Sequence, residues 1–280
     1  MKKTLLLFIG ALFVFTSFSQ TTFIKEYSSP DFPASAQAYC VSGLGAQEII
    51  TSYSNGDILI AYSVLEAHPS TPPPNPTPNH GLAFARLNSD GNEIWSKYYI
   101  DPVSGFYQDY YSINAAVTEG DFTYITGVKH TDWETFVLKI DGSGNLNWIY
   151  FFEFDLNNSP NLGIPEDIIY TSDDHVVTVG ELEGRVFSIK IDVAGPGYPI
   201  WKKVYTIATE PNGYRTICEN NDNEYCLFFG NQNSQIGVFS INPINGLIIP
   251  NSTQEIVTDS LNAIVLPIDV EFDPISDEYV

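Results

Sequence analysis

Beyond residue 20 the chain is written in short runs in which apolar and polar residues alternate, each run ending in a cluster of Asp, Asn, Gly or Ser. A period of two over five to eight residues is the signature of a strand with one face turned inward, and a tight polar cluster between two such runs marks a hairpin. Four segments share one plan of strand, turn and strand: EIITSYSNGDILIAY, INAAVTEGDFTYITG, EDIIYTSDDHVVTVG and YRTICENNDNEYCLFFG. Each is followed by a second hairpin: AFARLNSDGNEIWSKYY, FVLKIDGSGNLNWIYFF, FSIKIDVAGPGYPIWKKVY and GVFSINPINGLIIP. Almost no helical periodicity follows Phe18. Trp95, Trp148 and Trp201 stand 53 residues apart in both intervals, so the two hairpins form one repeating unit.

Four strands in a unit of about 50 residues, repeated in series, predict an all-β fold, a β-propeller of four-stranded antiparallel blades. A β-solenoid is the second choice, since its rungs are usually shorter. The blades are expected at 46–100, 112–154, 166–207 and 213–258, with a partial blade at 266–280. The first blade carries a Pro-rich insert at 63–80, and removing it restores the spacing between Phe23 and Trp95. Such a segment reads as a stiff, extended surface loop. Residues 22–28 match the fourth strand of a blade and are expected to act as a closing strand, which would remove an unpaired edge. Ile268–Phe272 then begins another first strand, and the chain is expected to be a fragment truncated at its C-terminus.

The first 19 residues read differently. Lys2 and Lys3 precede an apolar run from Leu5 to Phe15, and Ser17 and Ser19 offer small residues ahead of Gln20. That is a signal peptide, too short to span a bilayer, so a secreted or cell-surface location is expected. No other stretch is apolar enough for a membrane span. The chain has 44% hydrophobic residues, enough for a sizeable core, and a net charge of −22. Loss of Lys2 and Lys3 leaves ten basic against 34 acidic residues, a balance that repels nucleic acid and anionic lipid. Of the three cysteines, Cys40 stands apart, while Cys218 and Cys226 face each other across a hairpin. A cross-strand disulfide is one reading. The other, favoured because the preceding repeat has Ile and Val there, is a pair of buried apolar positions.

Residues that recur in every blade serve packing, which assigns Trp95, Trp148 and Trp201 a structural role. Trp133 has no counterpart in the other blades. It sits beside His130 in the loop between the second and third strands of its blade. The preceding inter-blade loop brings Tyr107, Tyr110 and Tyr111 towards the same face, which in propellers is the usual ligand face. Aromatic side chains gathered on a loop face suit stacking against a sugar or peptide, so Trp133, His130, Tyr107, Tyr110 and Tyr111 are the candidate ligand contacts. No catalytic residues can be named: nucleophile elbow, zinc-binding HExxH and phosphate loop are missing from the sequence. A carboxylate pair for glycoside hydrolysis cannot be located from spacing, because it would bridge blades. Asn88–Asn92 and Asp141–Asn145 are rich in oxygen but lack the distal bidentate Glu of a calcium loop, and read as hairpin turns. No metal and no cofactor are expected, and the chain is taken as a monomer.

The motifs TFVLKIDGSGNLNW and GDFTYITG resemble the repeats of secreted bacterial β-propellers of the Bacteroidota, and the likeness covers residues 46–260 in four copies. That resemblance implies the propeller fold and export by type IX secretion. More loosely, Ala85, Gly91 and Trp95 resemble the tryptophan-docking repeats of quinoprotein propellers, a spacing that the third copy departs from by two residues. The turns are also similar to the sialidase Asp-box, but Gly and Trp are four apart where that box has three. The expected function is that of a secreted, non-catalytic binding or interaction module for a glycan or protein ligand. The alternative is a carbohydrate-active or quinone-dependent enzyme on the same scaffold.

Overall fold

The computed structural model describes residues 36–38, 49–66, 79–100, 111–130, 134–156, 159–161, 163–206, 211–231, 236–256, 272–273 and 278–279. Every regular element among them is a strand. The first sheet holds β1 (Ala36–Ala38), β2 (Ile49–Ser52), β3 (Ile58–Glu66), β4 (Asn79–Leu87) and β5 (Glu93–Ile100). The second holds β6 (Tyr111–Glu119), β7 (Phe122–Lys129), β8 (Glu134–Asp141) and β9 (Leu146–Phe152). A small hairpin, β10 (Phe154–Leu156) and β11 (Ser159–Asn161), leads to the third sheet: β12 (Gly163–Tyr170), β13 (His175–Leu182), β14 (Arg185–Asp192) and β15 (Pro199–Tyr205). The fourth comprises β16 (Pro211–Glu219), β17 (Tyr225–Asn231), β18 (Ile236–Ile241) and β19 (Gln254–Ile256). A last pair, β20 (Phe272–Asp273) and β21 (Glu278–Tyr279), joins Phe272 to Tyr279.

Within each sheet the strands are antiparallel and lie in chain order. Consecutive sheets meet through their first strands, β2 on β6, β6 on β12 and β12 on β16. Four-stranded sheets fanned about a shared inner edge are the blades of a β-propeller. The first blade departs from the pattern in one respect. Its inner edge is divided, β2 pairing with the start of β3 and β1 with its end. β3 and β4 also pair from Glu66 to Asn79, so ordered strand reaches into both ends of the Pro-rich insert.

Burial explains why these runs are so apolar. β7 and β14 are covered on both faces because a blade stands on either side, whereas β9 begins exposed at the periphery. Three apolar layers lie between successive blades. The first gathers Leu59, Phe84, Ile113 and Phe136, the second Val137, Val176, Phe187 and Ile189, the third Val179, Leu227, Phe229 and Phe239. Threonines on the middle strands satisfy their hydroxyls locally, as Thr126 does on the Phe136 carbonyl at 3.0 Å.

Cys218 and Cys226 are both buried thiols outside any disulfide, packed with Phe228, Ile236 and Val238. They are direct partners in the ladder. The Asn220 amide donates to the Glu224 carbonyl, and alternation from there makes Cys218–Cys226 a hydrogen-bonded pair. Side chains at such pairs stand wider apart than at the alternate pairs, wider than a disulfide prefers. Two buried apolar thiols fit that geometry. Among the described residues no helix is long and apolar enough to cross a membrane.

Candidate functional site

The two ends of the blades are built differently. We call lower the end with the turns joining first to second and third to fourth strands, and upper the end where chain passes between second and third strands and from blade to blade.

The lower end is cement, and it repeats. Trp95 lies against Gly144 in the next blade's turn, Trp148 against Gly197, and Trp201 against Gly246. All three glycines have positive φ, between 67° and 83°, and a Cβ on any of them would come 2.7 Å from an indole carbon. The Trp95 indole N–H donates to the Gly142 carbonyl at 2.8 Å, and that of Trp201 to the Pro243 carbonyl at 3.1 Å. A cation from the adjoining strand joins each: Arg86 donates to Gly142, Lys139 to Val193 and Lys190 to Pro243, at 2.8, 3.0 and 3.0 Å. Arg86 and Lys190 are also paired with Asp57 and Asp173, at 2.8 and 2.5 Å. The Lys190 ammonium, with Thr171 and His175, holds the Asp173 carboxyl down at about 2 despite partial burial. Lys139 instead sits 4.0 Å from the Phe122 ring centroid. The third blade's turn is two residues longer, and the Trp148 indole N–H finds no acceptor.

The Asn and Asp residues of these turns accept from their own backbone. Asn88 takes the amides of Asp90 and Asn92, and Asp141 those of Ser143 and Asn145. Oxygens committed to Asx turns define hairpins, and these bonds hold the Asp141 carboxyl below its ordinary value.

At the upper end the inner strands lose regularity. β6 shifts register between Ile113 and Ala115, β12 between Pro165 and Asp167, and β16 between Pro211 and Arg215. Asn114 and Glu166 are the bulged residues, and Tyr214 lies within the third irregularity. Bulges re-aim side chains and cluster beside binding sites. Glycine on the partner strand makes two of them feasible: a Cβ on Gly127 would fall 1.9 Å from the Ser112 carbonyl oxygen, and one on Gly180 2.0 Å from that of Ile164.

Of the candidate contacts read from the sequence, Trp133, Tyr107 and Tyr110 lie outside the described residues. His130, just past β7, is half-buried, and its Nε2 is 3.0 Å from Ser112 Oγ. Ser112 Oγ in turn lies 3.1 Å from Asn114 Oδ1. Burial lowers the imidazole pKa and favours the neutral ring. Tyr111 requires a correction. It is only 7% exposed and packs edge-on to Phe136 at 5.9 Å, in the apolar layer between the first two blades. As the first residue of β6 its ring falls on the blade face rather than in the loop.

A polar cluster that the sequence reading missed locks the third blade to the fourth at this end. The Arg215 side chain is 1% exposed, and its Nη1 donates to Glu166 at 3.2 Å and Glu181 at 2.9 Å, while its backbone N–H donates to Glu166 at 2.6 Å. Asp167 accepts from the Thr216 hydroxyl at 2.7 Å and the Ile217 amide at 2.9 Å. Burial pushes the Glu166 carboxyl up to about 7, outweighing the lowering by Arg215. The available signal was Arg215 itself, one of three arginines in the chain, at an inner-strand position. Beside it, the Tyr214 ring is 46% exposed.

No protein-family model and no curated protein sequence matches the chain. Solved structures that resemble it include a Bacteroides caccae protein of unknown function, at 12% identity over 76% of this chain and 61% of that one, with a TM-score of 0.44. The periplasmic gluconolactonase of Pseudomonas aeruginosa aligns at 11% identity over 73% of this chain and 68% of its own, with a TM-score of 0.41. A Dyadobacter fermentans protein of unknown function aligns at 9% identity, covering 78% and 72%, with a TM-score of 0.42. The chain thus spans less than two thirds of the Bacteroides caccae protein. These likenesses transfer no activity to it.

Proposed function

We propose that this chain is an exported β-propeller that binds a glycan or protein ligand at its upper end without transforming it. The observation that carries this reading is the division between the two ends. Among the described residues the tryptophan docking that recurs from blade to blade sits below, while above, the inner strands bulge at residues that differ in each blade: Asn114, Glu166, Tyr214. A scaffold that repeats its cement and varies one rim is how propellers host many functions on one architecture.

A carbohydrate-active enzyme is the second reading, favoured by one observation, the raised Glu166 carboxyl near Glu181. Against it, both Glu166 oxygens are engaged by Arg215, as expected of a structural pair. A glycan array and a peptide array probed with the full chain test the proposal. Binding without turnover, weakened by Trp133→Ala, supports it. Hydrolysis of a bound oligosaccharide, lost in Glu166→Gln, would replace it with the enzyme reading.

A further inference from the structure

Large apolar side chains in solvent are not scattered over this molecule. Apart from Ile50 and Tyr214, every exposed one among the described residues lies on, or within three residues of, a turn between third and fourth strands at the lower end. The first blade contributes Ile94, the second Leu146, the third Tyr198 and Ile200, and the fourth Ile244 with its neighbours in the turn. Tyr198 is 61% exposed and Ile244 82%. Hairpin turns of an acidic exported protein have no packing reason to carry isoleucine, leucine and tyrosine outward, and contiguous apolar surface marks an interaction site.

The docking chain sets these residues at one level of neighbouring blades. Ile94 adjoins Trp95, which lies on the turn that ends at Leu146; Ile200 adjoins Trp201, which lies on the turn that begins beside Ile244. Tyr198 meets Tyr150 of the preceding blade edge-on at 5.5 Å. At that junction a cleft of about 520 Å³ runs between the outer strands β9 and β15, walled by Tyr150, Phe154, Pro199 and Val204. Lys202 spans it, donating to the Glu153 carbonyl with its ammonium 5.0 Å from the Phe154 ring centroid. The cleft climbs from Pro199 at the lower end, and two carboxylates, Glu134 and Glu153, stand at its upper mouth.

We propose that this lower band and the outer cleft rising from it form a protein-docking surface whose partner is a polypeptide presenting an aromatic or aliphatic anchor beside lysine or arginine. The anchor fits the cleft, as interface hot spots fill pockets, and the flanking cation answers Glu134 and Glu153. The chain's charge of −22 favours that choice over a second copy or an anionic lipid surface, each of which it repels. This surface follows the outer strands, whereas the upper-end reading rests on the bulged inner strands, and substitutions at Tyr198 and Ile200 test it apart from that reading.

The test is selection of short random displayed peptides on the immobilised full chain, followed by affinity measurement of the enriched sequences. Enrichment of an aromatic or aliphatic residue next to Lys or Arg supports the proposal if Tyr198→Ala and Ile200→Lys each weaken binding at least about tenfold with an unchanged melting temperature, a loss of hot-spot size. Three outcomes of the selection overturn it: no enrichment, enrichment of acidic peptides, or binding indifferent to both substitutions. Sedimentation velocity supplies the remaining arm. Concentration-dependent dimers that Ile200→Lys abolishes would assign the band to a second copy instead.

Discussion

Replacing Gly144 by alanine separates the tryptophan docking from ordinary turn chemistry, because the protein contains its own control. Gly144 and Gly184 have nearly the same backbone, with φ of 77° and 72°, but a Cβ on Gly144 would meet the Trp95 ring at 2.7 Å and one on Gly184 would meet nothing within 4 Å. Alanine at either position incurs the left-handed penalty of about 1 kcal/mol. At Gly144 the indole must also move, which adds about 1–2 kcal/mol of overpacking and endangers an indole hydrogen bond of about 1 kcal/mol. Gly144→Ala should therefore destabilise by about 3 kcal/mol and Gly184→Ala by about 1 kcal/mol. Urea denaturation of the two variants and the parent reads the difference. In a Trp95→Leu background the excess should shrink, since the obstructing ring is gone. Equal losses for the two alanines in the parent background would refute the docking argument.

Three further outcomes follow from the same geometry. The raised Glu166 carboxyl means that the folded chain holds an extra proton between the ordinary value of 4.5 and about 7. Its stabilising contribution is complete below pH 4.5 and lost as the pH climbs through 7, so melting temperatures measured from pH 5 to 8 should fall less steeply in Glu166→Gln than in the parent. Burial pushes the Cys218 thiol up to about 12 and encloses both sulfurs, so iodoacetamide should leave Cys218 and Cys226 unmodified in the native protein and alkylate both in urea; a 218–226 disulfide in non-reduced peptide maps would contradict the pair of thiols. Shortening the third blade's turn to the Asp-Gly-Ser-Gly-Asn of the second should give the Trp148 indole its acceptor and raise stability by about 1 kcal/mol in the same urea assay.

The blades were legible in the sequence because strand alternation, Asx turns and the 53-residue tryptophan spacing are local signals, each readable within a dozen residues. The direction of docking was not. Nothing around Trp95 says that its ring rests on Gly144, since that contact depends on how one blade turns against the next. The Glu166–Arg215 lock is hidden for the same reason: its partners lie 49 residues apart and belong to different blades. Tyr111 failed in the opposite way. Its neighbours in sequence suggested a loop, but strand pairing to Lys129 begins at that residue and turns the ring into the core. The divided inner edge of the first blade left no signal, because an interrupted strand reads as two unrelated short runs.

The claim that recognition belongs to the upper end is tested most directly by probing one combined glycan and peptide array with three proteins: the parent, Trp133→Ala/Tyr214→Ala, and Tyr198→Ala as a control from the lower end. The account predicts at least one glycan or peptide ligand that the parent and the Tyr198 variant share and the upper-end variant loses. A ligand set that the upper-end variant keeps intact, or an array on which the folded parent binds nothing, would contradict it.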